Sequence, residues 1–281
     1  MIFRLVIFFI SLLFLPTNNV QIRVLYPVVG TYQGKSAQGM AIWADNAYLF
    51  NDGGHCRVLN LKSGIIEREF DLASSGKNMH VNTACFGNDI IDGNVKPVIY
   101  ISEYKDKSRC FVENITDSSS TLIQTIQANE RGKNKFVQTW VVDNKSNCLF
   151  AIARRNPEKG TNRNINVGIT KYRLPKLTEG TLVNLDEKDV LGYYEVPFHN
   201  GIQGAKIRGR YLYIVTGLQE MSSDKINANR AIKVVDLRNG RIRKEIDLTY
   251  VTTNEPEDLD FYHGKALLYT GQNGGLYKIK Y

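Results

Sequence analysis

Long apolar stretches are scarce in this 281-residue chain. One exists, from Leu5 to Leu15 with Ser11 as its only interruption, preceded by Arg4 and followed by Pro16-Thr17-Asn18-Asn19. It has roughly half the ~20 residues a membrane-spanning helix needs, and its flanks are a short positive region and a helix-breaking polar segment, the pattern of a signal peptide. Residues 1–20 are therefore read as a signal peptide cut between Pro16 and Gln21, and residues 21–281 as one secreted or periplasmic domain of a bacterial protein. No Cys follows the run to carry a lipid, and no later stretch approaches membrane length, so no span is expected after signal removal.

Helical periodicity is missing as well. Outside the leader no segment keeps a 3.6-residue apolar period for three turns, whereas apolar residues make up 43% of the chain and aromatics 10%, with fifteen Tyr. Flat, stiff side chains pack well on a pleated surface, and about 260 mature residues fit a single all-β unit. Cysteine is sparse. Cys56, Cys85, Cys110 and Cys148 lack metal-type spacing, and each sits in an apolar strand-like pattern where a thiol behaves as a small buried hydrophobe; up to two disulfides, with unreadable pairing, is the alternative. Acidic residues are outnumbered, 28 against 36 Lys and Arg, giving a net charge of +8 and a pI near 9.2. The cations do not cluster as a nucleic-acid footprint would. Lys206, Arg208 and Arg210, and Arg241 and Arg243 beside Lys244, alternate as on the solvent face of a strand. No nucleic-acid partner is expected; a positive field instead concentrates anionic glycans or surfaces. Nucleophile elbows, phosphate loops, dinucleotide fingerprints and metalloprotease helices are all absent from the sequence.

What the chain does contain is a repeat. Val58-Leu59-Asn60-Leu61-Lys62-Ser63-Gly64 leading into Ile65 to Leu72 aligns without a gap to Val234-Val235-Asp236-Leu237-Arg238-Asn239-Gly240 leading into Arg241 to Leu248, with seven of fifteen positions identical. Each copy reads as a hairpin whose turn Gly takes a positive φ cheaply. The hairpin resembles the outer two strands of a blade in the broad WD40, YncE-like and NHL-like propeller superfamily, and the resemblance implies architecture without function. Upstream of such hairpins five inner strands begin on a polar residue: at Gln38, at His80 with Asn82, at Gln138, at Gln203, and at Glu257 with Asp258. From Gln38 to Glu257 is 219 residues over four intervals, about 55 each, which suits propeller blades with long loops. The last unit has room for three strands only, and Ile22 to Val29 is a strand without a blade. Adding it as the fourth strand closes the ring. The reading is a β-propeller of about five blades closed by an N-terminal strand, with six blades the alternative if that strand pairs elsewhere. Arg154 to Asn166, Thr178 to Lys188 and Glu220 to Asn229 read as long loops, which makes one face more elaborated.

In such a ring Gln38, His80, Asn82, Gln138, Gln203, Glu257 and Asp258 crowd one channel mouth, and His199 precedes the fourth inner strand. Amides, imidazoles and carboxylates converging on an axis suit a sugar or another small hydroxylated ligand; channel residues satisfied by water are the plainer alternative. Glu257 and Asp258 are adjacent and should face opposite ways, so they do not form the carboxyl pair of a glycosidase; Asp45 and Glu103 would serve only in a shifted register. Lactonase-type propellers hold an axial metal with Glu, Asp and Asn oxygens, a set that Glu257 with Asn82 or Asp258 partly matches. Ca²⁺ wants six or more oxygens and the Gln residues are poor substitutes, so no cofactor is expected, an axial Ca²⁺ being the alternative. The function read from the sequence is a monomeric, secreted binding module for a glycan, peptide or cell-envelope protein. The competing reading is a hydrolase or metal-dependent lactonase using Glu257, His80 and His199 on an ester or glycosidic bond.

Overall fold

A computed structural model describes residues 20–27, 35–76, 78–91, 93–104, 109–128, 137–155, 166–198, 201–218, 229–271 and 275–281. The expected signal peptide and His199 lie outside the described residues. The first strand, β1 (Gln21–Pro27), belongs to the last sheet. Blade one is β2 (Ala37–Trp43), β3 (Asn46–Asn51), β4 (His55–Asn60) and β5 (Ile66–Asp71). Blade two is β6 (Val81–Ile90), β7 (Pro97–Glu103), β8 (Cys110–Ile115) and β9 (Ser120–Ala128). Blade three is β10 (Val137–Asp143), β11 (Cys148–Arg155), β12 (Asn166–Arg173) and, beyond a detour through β13 (Leu182–Leu185), β14 (Val190–Pro197). Blade four is β15 (Ile202–Arg208), β16 (Tyr211–Thr216), β17 (Ala231–Asp236) and β18 (Arg241–Asp247). Blade five is β19 (Pro256–Tyr262), β20 (Lys265–Thr270) and β21 (Gly275–Lys280), completed by β1, which pairs antiparallel with β21. The molecule is a five-bladed β-propeller with the N-terminal strand closing the ring.

Strand alternation builds the ring. Within β3, Tyr48 and Phe50 pack against blade two, while Ala47 and Leu49 pack against blade five. The same division recurs at every blade, so the core is five apolar layers, each between two consecutive sheets. The repeated hairpin occupies β4–β5 and β17–β18, with Gly64 (φ 71°) and Gly240 (φ 66°) in the left-handed region that a side chain resists. All four cysteines are free and buried in these layers.

Two sequence readings are corrected. Thr178 to Lys188 is not merely a loop: β13 inside it lies parallel to β9 as a fifth strand of blade two. Leu185 anchors it in the layer between blades two and three, and Gln124 Nε2 donates to Lys176 O (3.0 Å) and Gly180 O (2.9 Å). Lys206 is not on a solvent face. It is 6% exposed and reaches the axis, because an inner strand has neighbours on both faces.

Connection lengths differ between the two faces. On the lower face hairpins are tight, as between Trp43 and Asn46, Arg208 and Tyr211, or Tyr262 and Lys265. On the upper face, where the inner strands begin, the chain runs from Ala128 to Val137, from Arg155 to Asn166 and from Thr216 to Ala231 between strands. The expectation that all three long segments elaborate one face does not hold, since the connection from Arg173 to Val190 that carries β13 leaves and returns at the lower ends of β12 and β14.

Candidate functional site

The five inner strands share one local design. Each starts with an apolar residue, then a polar one, then a small or hydrogen-bonding one: Ala37-Gln38-Gly39, Val81-Asn82-Thr83, Val137-Gln138-Thr139, Ile202-Gln203-Gly204 and Pro256-Glu257-Asp258. At that point the pairing to the second strand breaks register in all five blades. An irregularity of this kind bends the strand and re-aims a side chain. The polar residues of the second position therefore form a ring beneath the upper face, spaced 44, 56, 65 and 54 residues apart in sequence.

Their environments differ. Asn82 is absorbed in joining blade two to blade three, donating from Nδ2 to Gln138 O (2.7 Å) and Thr139 Oγ1 (2.6 Å). Gln138 is 2% exposed, and its carbonyl also accepts from Ser102 Oγ (3.3 Å). Gln203 Nε2 donates to Gly217 O (3.1 Å) in its own blade and to Glu255 Oε1 (2.5 Å) in the next. Gln38 is 7% exposed and its Oε1 has no hydrogen-bond donor among the described residues. Glu257 is 1% exposed with the same deficit at Oε2. Its Oε1 lies against Gly271, where a Cβ would collide with it, and that same position is 3.1 Å from Ser36 Oγ. Burial pushes the Glu257 carboxyl well above the usual carboxylate range, and Glu255, Asp258 and Asp52 add to the push. Burial also raises Glu255, against the hydrogen bond from Gln203.

Asp258 takes a different course, as its adjacency to Glu257 predicts. Its Oδ2 accepts from Met40 N (2.8 Å) in blade one and from Thr83 Oγ1 (2.7 Å) and Ala84 N (3.2 Å) in blade two, and Oδ1 accepts from Leu259 N (2.8 Å). Thr83 Oγ1 also lies 3.3 Å from Ala205 O in blade four. Lys206 Nζ donates to Ala84 O (2.7 Å) and pairs with Asp260 Oδ2 (3.0 Å). Burial raises Asp258 to about 7 against these partners. Burial alone would lower Lys206, yet Asp260, Cys85 and Asp258 outweigh it and the net shift is upward. Gly204 makes the crossing close, since a Cβ there would meet Asp258 Oδ1. These groups tie blades one, two, four and five together on the axis, so the site above them is closed from below.

The fold has solved counterparts. The chain is similar in fold to the glutaminyl cyclase of Myxococcus xanthus, with a TM-score of 0.53 and 13% identity over 92% of this chain and 95% of that one. A Kuenenia stuttgartiensis hydrazine synthase is more distant, with a TM-score of 0.43 and 11% identity over 88% of this chain and 56% of the other. No protein family matches the sequence, and no curated protein matches it. At these identities the likeness is one of architecture.

Of the residues picked from sequence, Gln38, Asn82, Gln138, Gln203 and Glu257 form the ring, and Asp258 sits under it. His80 stands one residue before β6, half-buried, its ring 6.1 Å from that of Tyr104, so blade two contributes Asn82 to the ring in its place. Asp45 is on the lower face, accepting from Lys62 Nζ (2.6 Å) and Tyr262 Oη (2.8 Å). Glu103 is buried at the upper end of β7, 3.7 Å from Arg109. Three participants escaped the sequence reading. Asp52 and Glu255 lie in turns, and nothing but the fold brings them to Glu257; Lys206 sat inside an alternation that reads as surface. Among the described residues no group of three or more His, Cys, Asp or Glu could hold a metal, and no helix is long and apolar enough to cross a membrane.

Proposed function

We propose that the chain is a secreted binding protein whose upper mouth takes a small polar ligand, or the polar end of a glycan or peptide, against the ring centred on Glu257. The observation that supports this most directly is the pair of nearly inaccessible acceptors, Glu257 Oε2 and Gln38 Oε1, that have no donor among the described residues. Leaving such groups unsatisfied costs about 1–3 kcal/mol each, and a binding site is a common reason for a protein to carry that cost. The half-buried Asp52, Glu255 and Gln203 beside them give the approach. Thermal unfolding in the presence of sugars, polyols, short peptides and small amines tests the reading. A ligand of the site raises the midpoint of the native protein by mass action and leaves Gly271→Ala, whose new methyl displaces the Glu257 carboxyl, unshifted. If no member of the panel shifts the native protein, the reading fails.

A second reading is favoured by the raised Glu257 carboxyl. A carboxyl raised above its ordinary range by burial is suited to general-acid work, which would make the same mouth an enzyme acting on an ester, lactone or glycoside. Turnover that rises as pH falls through the Glu257 transition and disappears in Glu257→Gln separates catalysis from binding alone.

A further inference from the structure

Around Glu257 the described residues leave acceptors, not donors, without hydrogen bonds. Among the described residues, Glu257 Oε2 and Gln38 Oε1 on the neighbouring inner strand have no donor, Asp52 Oδ1 has only the long ion pair to Lys35 (3.9 Å), and Tyr269 Oη, close enough to act on Glu257, makes no hydrogen bond. The charges around Glu257 are equally one-sided. Glu255, Asp258 and Asp52 act on it, and among the described residues no cation is among the groups that do. Lys206 is engaged below with Asp260. Lys35 stands at the rim, half-exposed and 3.9 Å from Asp52. Arg57 acts on Tyr269 but is bound to Glu69 (2.8 Å). This acidic pocket sits in a protein of net charge +8, so it is not a by-product of composition.

Resting on the binding reading above, we infer that the ligand presents a protonated primary amine to Glu257. An ammonium carries three donors and no acceptor, which suits a site whose buried oxygens, Glu257 Oε2 and Gln38 Oε1, lack donors among the described residues. It also brings positive charge to a carboxyl crowded by Glu255, Asp258 and Asp52. A neutral hydroxyl brings a single donor and no charge. Because the cation favours the ionised carboxyl, Glu257 gives its proton to solvent as the ammonium arrives, and binding strengthens as pH rises toward neutrality.

The probes are 4-amino-1-butanol and 1,4-butanediol, equal in length and differing at one end. Titration calorimetry at pH 5.5 and pH 7.5 in two buffers of different ionisation enthalpy reads affinity and proton release together. The expected result is at least tenfold tighter binding of the amino alcohol, net proton release on binding, and at least a tenfold loss for the amine in Glu257→Gln with the diol unaffected. Asp52→Asn, at a half-exposed turn, should weaken the amine by a smaller factor and guards against misreading a folding defect. Equal affinity for the two probes, or full amine affinity in Glu257→Gln, overturns the ammonium assignment while leaving the mouth as a binding site. If no compound of the wider panel binds either, both readings fall.

Discussion

Glu257 shows what a buried carboxyl costs the fold that carries it. Its carboxyl is raised in the folded state, so its contribution is harmless below the unfolded carboxylate value and becomes destabilising as pH rises through the folded value. Glu257→Gln should therefore leave stability unchanged near pH 4 and raise it at pH 8, on the order of 1–3 kcal/mol, read as a shift in urea midpoint. A variant destabilised at pH 8 would mean that the carboxylate is satisfied after all. Lys206 carries the opposite expectation. Removing one partner of a buried ion pair costs about 3–5 kcal/mol, so Lys206→Met should destabilise strongly at pH 8. Asp258, raised to about 7, is largely protonated at pH 5.5 and leaves less uncompensated charge, so the loss there should be smaller. The ring was legible because Gln38, Gln138, Gln203 and Glu257, and His80 with Asn82, each stand at the head of an apolar alternating run ahead of a second strand. Asp52 and Glu255 were not, because turn carboxylates look alike until the chain is folded.

At the scale of elements, β1 and β13 both close something. β1 supplies the outer strand of blade five, and without it β21 is an unpaired edge, a template for pairing with another chain. A chain starting after Pro27 should unfold at lower denaturant and elute as dimers or larger species in size-exclusion chromatography; a monomer of undiminished stability would show that the seam contributes nothing. The strand was readable as a remainder, an alternating run with no blade, set against a last unit one strand short. β13 had no such signature. Four residues, Leu182 to Leu185, are too few for a periodic signal, and only the packing of Leu185 reveals its place. Leu185→Ala should cost about 2–5 kcal/mol and raise amide exchange in residues 182–185 first.

For the whole molecule, five similar layers without a shared centre could come apart singly or together. The closed seam and the axial network of Asp258, Thr83 and Lys206 join blades distant in sequence, which favours a single transition. The thiols report on this, since Cys56, Cys85 and Cys110 are raised by burial and Cys148 is buried with them. A thiol reagent should label all four at one rate equal to global unfolding; sequential labelling would mean that blades open independently.

For the binding role proposed for the upper mouth, the axial closure also decides what shape of molecule could be read. A through-channel lets a strand thread and be gripped anywhere along its length. A socket sealed at its base meets only what can be pushed in head first. A polymer docking here would be sensed at its terminus, so trimming or capping the last unit would abolish recognition while changes in its middle would pass unnoticed.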